Sequence, residues 1–103
     1  MKRVQLSASA ELDLNGIWQY VVAQSENTEI ADKVLDGIGR HLVLLGHTPL
    51  AGRRRDDIRP GMRSFAAGSY MIYYRVRNGR ALISRIIHGS REQATAFSEE
   101  PGS

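Results

Sequence analysis

RSFAAGSYMIYYRVRNGRALISRIIHGSR, residues 63–91, is the stretch on which the reading of the whole chain turns. Asn78-Gly79 stands between two runs of alternating β-branched and aromatic residues, the strongest short-range hairpin signal a sequence carries. A two-residue type I′ turn needs φ > 0 at both central positions, which Asn and Gly tolerate at least steric cost. Such a turn sets the register: Arg77 faces Arg80, Val76 faces Ala81, Tyr74 faces Ile83, and Ile72 faces Arg85. Tyr70, Ile72, Tyr74, Val76, Ala81, Ile83 and Ile87 then share the side that packs on the core, with Arg85 the polar exception. The opposite side carries Met71, Tyr73, Arg75, Leu82, Ser84, Ile86 and His88. That side is too apolar to stay wet and too polar for deep core, as expected of a partner-binding face.

Working outward, 103 residues suffice for one core and one domain spanning 1–103, with residues 92–103 expected to form a mobile tail. No cysteine is present, so neither a disulfide framework nor a thiolate metal site is available, and a reducing, cytoplasmic setting is expected. No apolar run approaches the ~20 residues of a membrane span, and no signal peptide is expected. The formal charge of +3 conceals an uneven distribution: residues 1–52 hold four Lys/Arg against six Asp/Glu, while residues 53–91 hold ten Arg against two Asp. A block whose bases are all arginine suits bidentate recognition of carboxylate or phosphate; a solvated basic face is the alternative.

In chain order, Val4 and Leu6 alternate with polar neighbours as a short first strand over 3–6. Ser7 or Ser9 caps a helix over about 8–24, with Leu14, Ile17, Trp18, Val21 and Val22 at helical spacing and Trp18 read as core. Asn27 or Thr28 caps a second helix whose stripe is Ala31, Val34, Leu35, Ile38, Leu42 and Leu45, with Gly46 closing it and Pro49 preventing its resumption. Residues 48–61 read as loop, in which Asp56-Asp57 neutralise Arg53–Arg55; 63–67 reads as a strand ahead of the hairpin. The expected fold class is α+β, in the order β-α-α-β-β-β, with a helical hairpin packed on an antiparallel sheet.

Chemistry motifs are sparse. There is no phosphate-binding glycine loop, no HExxH and no GxSxG, and His41, His47 and His88 lack a metal-like spacing; neither metal nor cofactor is expected. His88, near Arg85 and Arg91 in sequence, reads as a catalytic base or as a hydrogen-bonding residue closing the last strand.

Across nearly its full length the chain resembles the ParE toxins of the RelE/ParE superfamily. The matching residues are Leu6-Ser7, Ala10, Asp13-Leu14, Ile17-Trp18, Tyr20, Ala31, Pro49, Gly52, the run IRPGMRSFAAGSYMIYYRV (58–76) and Arg85-Ile86-Ile87-His88. The spacing R-x-x-x-x-G-S-x-x-x-x-Y-R-V from Arg63 to Val76 is the most specific piece. The resemblance implies the toxin of a type II toxin–antitoxin pair that inhibits DNA gyrase by binding and is neutralised by a ParD-like antitoxin. The mixed ribbon face and the arginine block then give the antitoxin Arg63, Met71, Tyr73, Arg75, Leu82 and Ile86 and the target Arg53, Arg54, Arg55 and Arg91, and direct nucleic-acid binding by the chain alone is not expected. The sister RelE toxins are ribosome-dependent mRNA endonucleases, for which His88, Arg85 and Arg91 would be the catalytic candidates. Their active-site arginine before the turn corresponds to Ala66 and their tyrosine after the last strand to Phe97, which leaves that chemistry incomplete. A non-toxic co-regulator of its own operon is the third reading.

Overall fold

The computed structural model describes residues 4–90; the expectations for Arg91, Phe97 and the tail at 92–103 lie outside the described residues. The elements are β1 (Val4–Leu6), α1 (Ala8–Ser25), α2 (Thr28–His47), a 3₁₀ turn (Pro49–Ala51), β2 (Arg53–Arg54), β3 (Arg63–Ala67), β4 (Tyr70–Arg77) and β5 (Arg80–His88). One mixed sheet runs in the order β1-β5-β4-β3-β2, antiparallel from β2 to β5, with β1 joining β5 in parallel. The two-residue β2 was expected as loop. It forms because Arg53 and Arg54 pair with Ser64 and Arg63, and its dipeptide is too short to show an alternating pattern.

The helices start where their capping residues dictate. Ser7 Oγ accepts from the Ala10 N–H at 3.0 Å, and Asn27 Oδ1 accepts from the Glu29 N–H at 2.8 Å. α2 outruns its expected end: Gly46 is a buried helical residue, and Thr48 closes the helix by donating its N–H to Leu44 at 2.8 Å. Trp18 is only half-buried, because its indole N–H reaches across to Asp32 of α2 at 2.9 Å.

The hairpin turns on Asn78 (φ 53°) and Gly79 (φ 73°), with Arg77 opposite Arg80, Val76 opposite Ala81 and Tyr74 opposite Ile83 as expected. Beyond Ile83 the register slips. Tyr73 faces Arg85, so Ser84 is the extra residue of a β-bulge, and Ile72 faces Ile86 rather than Arg85. The cause lies on the outer edge of β5. There β1 ends, Ser7 donates its N–H to Ile83 (2.9 Å) and its hydroxyl to the Ser84 carbonyl (2.8 Å), and the chain turns into α1. Nearly two turns later Asp13 takes over from β1 by accepting the Ile86 N–H at 2.9 Å. The bulge exchanges the two isoleucines: Ile86 joins the helix-side core with Ile17, Ile38, Leu42, Ile72 and Ile83, and Ile87 moves to the opposite face. On that face Met62, Tyr73 and Ile87 form a second buried cluster, flanked by Ile58 and Met71, so the loop between β2 and β3 covers much of the apolar surface expected to be open.

Candidate functional site: the arginine face of the sheet

Strands β2 to β5 carry seven arginines and no carboxylate, whereas six acidic residues lie between Glu11 and Asp36 in the helical layer and its connection. What each arginine touches determines what the face can do.

Arg85 is committed to the fold. Its Nε and Nη2 donate to the two carboxylate oxygens of Asp13 at 2.8 and 3.0 Å, with side chains 13% and 15% exposed. This fork-on-fork geometry is the strong form of an ion pair. Arg63 donates to the carbonyl of Gly52 at 2.9 Å and more weakly to that of Leu50 at 3.4 Å, bracing the 3₁₀ turn. The same turn is latched by Tyr74, whose hydroxyl accepts from the Gly52 N–H (2.7 Å) and donates to the Pro49 carbonyl (2.8 Å). Burial pushes the Tyr74 phenol above its usual range, against the opposing effects of the Gly52 hydrogen bond and Arg63. A Cβ at Gly52 would overlap the Tyr74 ring, so only glycine allows this approach.

In the loop, Arg54 pairs with Asp56 at 2.9 Å and Arg55 with Asp57 through two bonds of 3.0 and 2.9 Å, the internal neutralisation expected there. The Gly61 N–H, then Arg54, holds the Asp56 carboxyl below the usual range, and Arg55 does so for Asp57. Arg55 in turn is raised, chiefly by Asp57. Arg53 is exposed on the face away from the helices.

Arg75, Arg77 and Arg80 are exposed at the hairpin end, and none has a hydrogen-bonding or ion-pairing partner among the described residues. His88 is exposed at the far end of β5, edge-on to Tyr70 (ring centroids 5.3 Å apart), with its Nδ1 taking the Ser90 N–H at 3.1 Å. Beside it a groove of about 650 Å³ opens against α1, lined by Leu12, Gly16, Tyr20 and Tyr70 among others.

Of the residues expected to meet an antitoxin, Arg75 is exposed and Arg63, Met71 and Leu82 are half-buried. Two present no accessible surface: Ile86 (2% exposed) because the bulge turns it under the helices, and Tyr73 (1%) because the 55–62 loop covers it. Of the expected target residues, Arg53 and Arg54 are exposed and Arg55 is largely covered. The nuclease candidates Arg85 and His88 are not brought together: Arg85 is held by α1 and His88 by the strand end. Among the described residues no group of three His, Asp or Glu could hold a metal ion, and no helix is long and apolar enough to cross a membrane. Sequence reasoning used Asp13 and Gly52 only as matches to the family pattern and Pro49 only as a match and a helix stop, and foresaw none of their contacts. A lone aspartate beside an apolar helical stripe was the available signal for the first.

A family model described as ParE toxin of type II toxin-antitoxin system, parDE, matches residues 4–93. The chain belongs to that family. Toxin ParE1 of Caulobacter vibrioides is 31% identical over 90 residues, covering 87% of this chain and 92% of the relative. Toxin ParE1 of Mycobacterium tuberculosis (strain H37Rv) is 31% identical over 87 residues, 84% of this chain and 88% of its own. Toxin RelE3 of Caulobacter vibrioides, with a name from the sister group, is 32% identical over 89 residues, 85% and 95% of the two chains. A solved structure of the chromosomal ParDE TA system from P. aeruginosa superposes with a TM-score of 0.72 at 23% identity, over 82% of this chain and 92% of that one. Two helices on one face of the sheet are thus the ParE fold, and the Pro49, Gly52 and Tyr74 latch is part of how this member builds it.

Proposed function

We propose that this ParE-family toxin acts in the cytoplasm by binding DNA gyrase, without a catalytic centre of its own, and is neutralised by an acidic, ParD-like antitoxin segment. The observation that carries the reading is the Asp13–Arg85 clamp. A ribonuclease of this size needs a base, a cation to stabilise the pentacovalent state and an acid for the leaving group. Arg85 is committed to Asp13, which also accepts the Ile86 N–H, and Ala66 stands where the sister enzymes carry an arginine. A gyrase inhibitor needs only a rigid scaffold with a charged surface. For the antitoxin, apolar side chains would seat in the groove between Leu12, Tyr20 and Tyr70, while carboxylates reach Arg63; Arg75, expected to join them, lies on the face away from the helices and is left out of this contact. Arg53 is the exposed target-facing candidate with Arg54 beside it, and Arg91 keeps that role as an expectation.

A ribosome-dependent mRNA endonuclease is the second reading, favoured by the similarity to toxin RelE3 and by the exposed imidazole of His88. The deciding experiment pairs DNA cleavage and supercoiling by purified gyrase with primer extension on messages from translating ribosomes. Accumulated cleaved DNA with intact messages is expected. Message cleavage abolished by His88→Ala, with gyrase untouched, would replace this reading with the nuclease, and neither effect would leave the co-regulator.

A further inference from the structure

Three arginines at the end of the β4–β5 hairpin have no work in the fold. Alternation puts Arg75, Arg77 and Arg80 on the face away from the helices, with Arg75 opposite Leu82 and Arg77 directly opposite Arg80. Like charges placed opposite on neighbouring strands are destabilising, yet no carboxylate occurs anywhere from Ile58 to Ser90 to relieve them. β3 pairs with β4 only as far as Tyr74, so the last three residues of β4 run past it and the tip stands clear on that side.

We propose that this tip binds the phosphodiester backbone of duplex DNA. An acidic peptide fits it less well, because a segment that orders on binding needs apolar anchors. The large exposed apolar side chains Leu12, Tyr20, Ile30, Val43, Leu44 and Leu50 all belong to the helices and the 3₁₀ turn, and Leu50, which comes nearest, shares a groove with Val76 on the helix side of the sheet rather than on the arginine face. Single-stranded RNA is disfavoured for a parallel reason. Its recognition relies on aromatic stacking, and Tyr73, the one aromatic side chain on this face among the described residues, is 1% exposed. What remains is a strip of guanidinium groups suited to phosphates and blind to base sequence. The inference rests on the gyrase reading for its setting, and names the part of the gyrase–DNA complex that this face touches.

The test is fluorescence anisotropy of a labelled DNA duplex titrated with the full chain. Three phosphate contacts give a slope of log K against log salt of about −2.7, so affinity should fall about 40-fold between about 50 and about 200 mM salt. The triple variant Arg75→Gln, Arg77→Gln, Arg80→Gln should lose that binding and that slope, while the double variant Lys33→Gln, Arg40→Gln on α2 keeps both. The three side chains have no partners to lose among the described residues and the Arg77–Arg80 repulsion is removed, so the triple variant should melt at or above the parent's temperature. No saturable binding to the duplex, undiminished binding by the triple variant, tighter binding to single-stranded RNA, or displacement by polyglutamate at equal charge would each overturn the proposal. The gyrase cleavage assay separates the two readings. Equal DNA damage by parent and triple variant would sink the backbone contact and leave gyrase as target. Duplex binding at the expected slope by a parent without effect on gyrase would sink the gyrase reading and leave the DNA-binding tip.

Discussion

Replacing Asp13 by alanine is the most informative single change. The carboxylate accepts two bonds from Arg85 and one from the Ile86 N–H, at 2.8, 3.0 and 2.9 Å. Its loss takes the carboxylate from a guanidinium in a site where little water reaches and leaves a strand-edge N–H without that acceptor. Breaking a buried pair by removing one partner costs ~3–5 kcal/mol. With 13% and 15% of the two side chains exposed, the lower end applies, and we expect ~3 kcal/mol. That is a large fraction of the ~5–15 kcal/mol that holds a domain together. In urea, with a slope of about 1.5 kcal/mol/M, the midpoint should fall by about 2 M at constant slope. Arg85→Met in the Asp13→Ala background should recover ~1–2 kcal/mol, because the guanidinium that lost its carboxylate is gone while the Ile86 N–H stays orphaned. An Asp13→Ala chain within ~0.5 kcal/mol of the parent, or a double variant no better than the single one, would refute the view that this clamp joins α1 to the sheet.

Other perturbations probe other joints. Tyr74→Phe removes both latch bonds and should cost ~1–3 kcal/mol, and Gly52→Ala should cost more because its Cβ meets the ring itself; urea midpoints of both variants check the order. Gly79→Val forces a β-branched residue to φ 73° and should cost ~1–3 kcal/mol in thermal unfolding, whereas parental stability would mean that the turn tolerates another type. Tyr74 and Tyr70 both have phenols raised by burial, so the folded state prefers them neutral. Their stabilising effect is complete below the unfolded tyrosine value near ~10 and is lost as pH rises through their higher folded values. Stability measured above pH ~10 should therefore decline less steeply in Tyr74→Phe than in the parent.

The hairpin was legible because Asn78-Gly79 leaves one turn type, and one turn type leaves one register. Legibility ended at Ser84. A bulge is caused by what lies beside the strand, here Ser7 and Asp13, which precede it by more than seventy residues, and no local pattern announces them. One slipped residue then carried Ile86 from the expected binding face into the core. Tyr73 was misjudged for a related reason: alternation gave its face correctly but not the loop that folds over it. The helix starts were readable from Ser7 and Asn27, whose caps are local chemistry. The arginine block was visible as charge, but which arginines are spent depended on partners that only the fold brings near: Asp13 for Arg85, the Gly52 carbonyl for Arg63.

The parallel pairing of β1 with β5 has a consequence for how the chain is made. Val4 to Leu6 find their strand partner at Ala81 to Ile83, so of the five strands described the first to be made waits for the last. The helical hairpin between them, joined by two residues, can assemble early from local contacts, as can β4 with β5 once both are out. Neither half holds the other until Asp13 meets Arg85 and Ser7 meets Ser84. Synthesis interrupted anywhere before β5 leaves a helical pair with an unpaired strand rather than a smaller version of the toxin. The acidic layer and the basic sheet are thus joined late, and a cell translating this chain meets its complete arginine face only once β5 has been made.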